Sequence, residues 1–185
     1  MAALAGTLMA LASPAIADTQ PSNNREMKPV ALRDVRAASA DGKSLAAAQY
    51  GIANKKSGKF LQPLGGSSAN GTKVVQQPFN SSSLTQVWER HEFGDFLTFE
   101  NYNGLNLGID RASTANGAAA IIANPAGDQN QDWKQVARDE YTFELRNRKS
   151  GKCLGIDRAS TANGAQAAQF TCDSGDANQG WGYFQ

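Results

Sequence analysis

The chain's 185 residues leave room for one ordinary domain with a tail and exclude two large domains. Its 18 basic residues against 17 acidic ones give no field to gather nucleic acid or an anionic membrane, so a neutral partner suits it better. Aromatics are only 8% of the residues while Gly, Ser, Asn, Gln and Ala abound, which predicts many short strands joined by polar turns rather than long helices.

Residues 1–17 form an apolar stretch ending in Ala15-Ile16-Ala17, the small-x-small pattern that precedes a cleavage point, and read as an export signal. A disordered Ala-rich tail is the alternative. No later segment has the roughly twenty apolar residues needed to span a bilayer, so the mature product is expected to be secreted and extracellular. Residues 18–49 are polar, carry Pro21 and Pro29 and sustain no period of two or 3.6, which predicts a flexible arm or linker.

From residue 50 onward the chain repeats itself. The twelve residues LGIDRASTANGA run from Leu107 to Ala118 and again, letter for letter, from Leu154 to Ala165. A weaker copy begins at Leu61 and reaches Asn70-Gly71 at the same interval. Each unit ends in Gln-x-Trp, at Gln86-Val87-Trp88, Gln131-Asp132-Trp133 and Gln179-Gly180-Trp181. Three units result, over about 50–96, 97–140 and 141–185.

Each unit opens on a short run such as Leu97-Thr98-Phe99, follows a polar turn with a second apolar run, then passes through a hydroxyl-rich loop to Asn-Gly. Asn-Gly tolerates positive φ and announces a tight turn before a third strand, and the Trp sits in a fourth. Four strands in each unit predict twelve. No unit can bury its own apolar face, so the three must share a core, and closure of three also removes exposed strand edges.

Cys153 and Cys172 are the only cysteines. An even count in an exported chain predicts one bridge, worth roughly 3 kcal/mol for a loop of this length. Two reduced core cysteines in a cytosolic protein are the alternative.

Threefold units ending in Gln-x-Trp, with Cys-Leu in the second strand and a second Cys after the third, resemble the ricin B lectin family of β-trefoils. The resemblance covers about three quarters of the chain and implies an all-β trefoil with three pseudo-symmetric repeats. Trp88, Trp133 and Trp181 are read as structural, filling the shared core, with the Gln amides satisfying backbone groups.

In that family a sugar is held by an Asp two residues after the first Cys position, an aromatic platform in the third strand, and an Asn before the Gln of Gln-x-Trp. A carboxylate accepts from vicinal hydroxyls, an amide donates and accepts, and an aromatic face covers the C–H side of the ring. Carried onto this chain, the resemblance implies a best site in the third unit, with Phe170 as platform and Asn178 and Gln179 beside it. The usual Asp position holds Gly155, and Asp157 two places later is expected to substitute, since in a strand that shift keeps the same face. The other reading of Asp157 is that it caps its loop through its own backbone. The second unit has Asp110, Asn130 and Gln131 in matching places but Ala123 as platform and Gly108 in the Asp place, which implies weak binding. With Gln62, Leu64, Gln77 and Thr85 in those positions, the first unit is read as structural.

The one histidine, His91, falls between the first and second units with no partner to make a base or a zinc site. No phosphate loop or nucleophile elbow appears, and Asp110 and Asp157 lie in different units rather than flanking one glycosidic bond. No cofactor or metal is expected. The function expected is therefore that of a secreted, non-enzymatic, lectin-like module for neutral glycan or polysaccharide, without nucleic-acid binding or membrane insertion. The rival is a trefoil used for protein contact or inhibition, which needs an exposed hydrophobic or basic loop tip; none is evident in the sequence.

Overall fold

The computed structural model describes residues 27–35 and 48–185; the expected export signal and the rest of the expected arm lie outside the described residues. A short strand β1 (Pro29–Val30) comes first. The first unit holds β2 (Ala48–Asn54), β3 (Phe60–Pro63), β4 (Val74–Gln77) and β5 (Trp88–Phe93). The second holds β6 (Phe96–Asn101), β7 (Asn106–Ile109), β8 (Ala120–Ala123) and β9 (Trp133–Ala137). In the third are β10 (Thr142–Asn147), β11 (Cys153–Ile156), β12 (Ala167–Phe170) and β13 (Trp181–Phe184).

Alternation of burial drives these strands: along β6, Leu97, Phe99 and Asn101 face inward while the residues between them are partly exposed. The first and fourth strands of each unit pair antiparallel around a closed six-stranded barrel, which β13 completes by pairing with β2. The remaining strands form three hairpins, β3–β4, β7–β8 and β11–β12. Together these are the twelve strands and three pseudo-symmetric units of a β-trefoil.

Each Gln-x-Trp tryptophan occupies the same place in its unit. Trp88, Trp133 and Trp181 stand opposite Asn101, Asn147 and Asn54 of the following unit's first strand. All three are fully buried. Their indole N–H groups donate to the carbonyls of Leu61, Leu107 and Leu154 at 3.0, 2.9 and 2.9 Å, so each indole fills the core and ties its fourth strand to its second. Where the hairpins meet, Gln166 Nε2 reaches the carbonyls of Val74, Ala120 and Ala167, one from each unit.

The letter-for-letter repeat has a structural counterpart outside the loop itself. The loop over 110–117 leans on β12 of the next unit, where Gln169 Nε2 donates to the carbonyls of Ser113 and Ala115 at 2.8 and 3.0 Å. The loop over 157–164 leans on β4, where Gln76 Nε2 donates to Ser160 and Ala162 at 2.9 and 3.0 Å. Identical loops thus meet identical buried glutamines. At the third junction Ile122 takes the glutamine's register position, and the loop sequence differs accordingly. Arg111, Ala112, Arg158 and Ala159 all sit near φ +50°, a conformation that L side chains resist; the first unit places Gly65 and Gly66 there.

Part of the segment expected to be a flexible arm is docked on the trefoil. β1 pairs with β13, Lys28 and Gln185 exchange two backbone hydrogen bonds, and Leu32 N–H donates to the Glu140 carbonyl at 2.9 Å. Leu32 and Val35 are buried in the core cluster that includes Tyr50, Phe99, Phe143 and Tyr183. Tyr183 stacks within 4.3 Å of Phe143 and 4.8 Å of Tyr50, and burial pushes its hydroxyl well above the usual tyrosine range. Two apolar residues in an aperiodic polar stretch leave no pattern to read, which is why the sequence suggests a linker. Leu32→Ala is expected to lower stability by about 2–4 kcal/mol in denaturant unfolding, the range for emptying a buried leucine site; an unchanged midpoint would mean the segment is merely tethered.

Candidate functional site

Each unit places a 3-10 turn directly before its Gln-x-Trp strand, and the Gln side chain holds the preceding loop to it. Gln179 accepts from Asp173 N–H and donates to the Thr171 carbonyl, both at 3.0 Å. Gln131 accepts from Asn106 Nδ2 and donates to the Asn124 carbonyl, and Gln86 accepts from Asn80 N–H and donates to Pro78. The amides of this motif are engaged within the fold.

In the third unit Phe170, Asn178 and Gln179 gather around Gly155. A Cβ on Gly155 would lie 3.0 Å from Asn178 Nδ2, 3.2 Å from Gln179 Cγ and 3.4 Å from the Phe170 ring. The position where the ricin B resemblance implies an Asp is therefore closed over by its neighbours. Asn178 is buried, donating to the Ile156 carbonyl and accepting from the Ile156 N–H, both at 3.0 Å. Phe170 pairs in register with Cys153 and stays partly exposed. The predicted disulfide is present between Cys153 and Cys172 and pins β11 to the turn that follows Phe170.

Asp157 is not in the strand. β11 ends at Ile156, and Asp157 opens a 3-10 turn, so strand alternation does not carry it onto the face of Gly155. Nor does it cap its loop: its carboxylate accepts no hydrogen bond among the described residues. The group is half-exposed, with Arg158 Nε 3.8 Å away and that arginine almost wholly in solvent. Arg158 and Arg111 belong to no motif, and their adjacency to the two aspartates is the one sequence signal that marks them.

The second unit repeats the arrangement with less to offer. Asn130 donates to the Ile109 carbonyl at 3.0 Å, and a Cβ on Gly108 would lie 3.0 Å from Gln131 Cγ. Asp110 opens the equivalent turn beside Arg111, but Ala123 stands at the platform position. In the first unit Gln62 accepts from Gln86 Nε2, and Leu64 and Gln77 take the other places. Among the described residues Glu144, Cys153 and Cys172 lie close enough to hold a metal ion, but both sulfurs are in the disulfide.

The three units thus carry the same motif in the same frame. Residues 48–181 match the ricin-type beta-trefoil lectin domain. The chain belongs to that family. It is similar to the designed threefold-symmetric protein ThreeFoil at 30% identity and a TM-score of 0.71, over 74% of this chain and 98% of that one. It is similar to an exo-beta-1,3-galactanase from Clostridium thermocellum at 31% identity and a TM-score of 0.69, over 73% of this chain but 29% of the enzyme. The Macrolepiota procera ricin B-like lectin, solved in complex with lactose, shares the fold at 20% identity and a TM-score of 0.62, over 76% of this chain and 97% of the lectin. No curated protein matches the chain.

Within this ricin-type trefoil, Asn178→Ala is expected to strand the buried Ile156 N–H and carbonyl and to lower stability by about 1–3 kcal/mol, whereas half-exposed Asp157→Ala leaves it within about 0.5 kcal/mol. Thermal unfolding of the two variants checks this; equal midpoints would contradict it.

Proposed function

We propose that the chain is a secreted, non-catalytic glycan-binding module that holds neutral sugar on its third unit, between Asp157 and Phe170. The observation that carries this is the threefold comparison. The third unit combines a partly exposed aromatic ring in its third strand with a half-exposed carboxylate free of hydrogen bonds among the described residues. The carboxylate accepts from vicinal hydroxyls and the ring covers the apolar face of the sugar.

Asn178 and Gln179 act here by positioning. Their amides fix Ile156, next to Asp157, and the turn after Phe170, while the disulfide holds that turn against β11. Asp110, Asn130 and Gln131 give the second unit the same frame without a platform, a weaker site. Two exposed contacts of this kind suit affinities near 1 mM, about −4 kcal/mol, which a second site or a linked module raises without any new contact. Export agrees with the signal pattern at residues 1–17 and with the disulfide, since disulfides persist in oxidising compartments. The lactose-bound Macrolepiota procera lectin and the galactanase, 29% of which matches this trefoil, support a role in holding carbohydrate.

A second reading has one observation in its favour. The first unit exposes Leu64, Phe79 and Leu84, a hydrophobic surface that sequence reasoning did not find, and protein contact suits it.

A glycan array followed by calorimetric titration of the full chain tests the proposal. Phe170→Ala and Asp157→Ala are each expected to weaken the best neutral ligand at least tenfold with unfolding unchanged. Unaltered binding in both variants, or release of reducing sugar by the purified protein, would overturn it.

A further inference from the structure

The barrel closes between units three times by one device, and one of the three closures is incomplete. Asn54, Asn101 and Asn147 each end the first strand of a unit, opposite the tryptophan of the unit before. Asn54 Nδ2 donates to the Asn178 carbonyl at 2.7 Å, and Asn147 Nδ2 donates to the Asn130 carbonyl at 2.9 Å. The next backbone amides, Lys55 and Arg148, donate to the carbonyls of Gly180 and Asp132, both at 2.8 Å. Between the first and second units, neither bond forms among the described residues. Asn101 Nδ2 has no partner although the residue is 3% exposed, and no backbone bond joins Tyr102 to Val87.

Turn length explains the difference. The turns after Asn54 and Asn147 close onto Lys59 and Lys152, five residues on, whereas the turn after Asn101 closes onto Leu105, four residues on. The shorter turn leaves Tyr102 64% exposed. A cleft of about 430 Å³ opens at this seam, with apolar lining from Leu84, Val87 and Tyr102 and polar lining from Gln49, Glu89, Glu100 and Asn101. That volume lies at the small end of the range for small-molecule sites, about 300–1,000 Å³.

The chemistry of the lining is specific. Glu89 and Glu100 face each other directly across β5 and β6, an arrangement that like charges disfavour. Gln49 Nε2 donates to Glu89 at 2.8 Å, and His91 Nε2 stands 3.8 Å from an oxygen of each carboxylate. Among the described residues no Lys or Arg lines the cleft. A ligand that fits brings a positive charge for the two carboxylates, an acceptor for the buried Asn101 amide and an apolar face for the Tyr102 ring. We propose that this seam is a further saccharide site, which takes an amino sugar bearing a free ammonium, such as a glucosamine unit. A lysine side chain supplies the ammonium but no ring face for Tyr102.

The seam shares no residue with the third-unit site, so the two fail separately. Calorimetric titration of the full chain with fully deacetylated chitotetraose, its N-acetylated counterpart and tetralysine tests it. The deacetylated tetramer is expected to bind at least tenfold more tightly than the acetylated one. Glu100→Gln and the exposed-site variant Tyr102→Ala are each expected to weaken it at least tenfold, and Phe170→Ala to leave it unchanged. Inserting one serine between Tyr102 and Asn103 brings this turn to the length of the other two, and is expected to close the seam and abolish binding. Equal binding of the two tetramers, loss through Phe170→Ala instead of Tyr102→Ala, retained binding in the insertion variant, or tetralysine binding as tightly through Glu100 would overturn the proposal.

Discussion

The structure depends on a tryptophan that does two things at once, three times over. Each indole lies fully buried in a core that no single unit could enclose, and each N–H is satisfied by a leucine carbonyl of its own unit's second strand. A bulky apolar group with one polar edge thereby fixes both the depth of packing and the register between barrel and hairpin. The units share that core, and the partly exposed side chains of the candidate sites lie around its outside.

Near-symmetry is what makes the individual departures informative. The three units present the same frame of Gln, turn and hairpin, so a residue that differs between them differs for a local reason. Phe170 distinguishes the third unit from the second, where Ala123 leaves the same strand edge bare. One residue fewer in the turn after Asn101 distinguishes the first seam from the other two. Fold and site are thus separable: the buried amides and indoles keep the frame, and a few partly exposed side chains give each unit its character.

Much of this was legible in the sequence because the repeat fixes so much. Three Gln-x-Trp motifs and a doubled twelve-residue segment imply twelve strands around one core, and an even pair of cysteines behind an export signal implies the bridge. What escaped was non-local. Gln76 and Gln169 explain the repeated loops, but each lies in a different unit from the loop that it holds. Asn178 precedes the Gln of Gln-x-Trp, where the ricin B resemblance implies a sugar contact, yet with Gly155 beside it the amide folds inward onto Ile156. Asp157 follows a strand by only one residue, and that residue is where strand alternation ends. Leu32 and Val35 join the core from a stretch with no periodicity, so their burial follows from the docking of β1 on β13 rather than from any local pattern.

Hydrogen exchange at the three indole N–H groups tests the shared core most directly. If the tryptophans close one common core, all three exchange only through global unfolding, with the same protection free energy and the same dependence on denaturant. An indole that exchanges orders of magnitude faster than the other two, under conditions where the protein stays folded, would contradict a single cooperative trefoil.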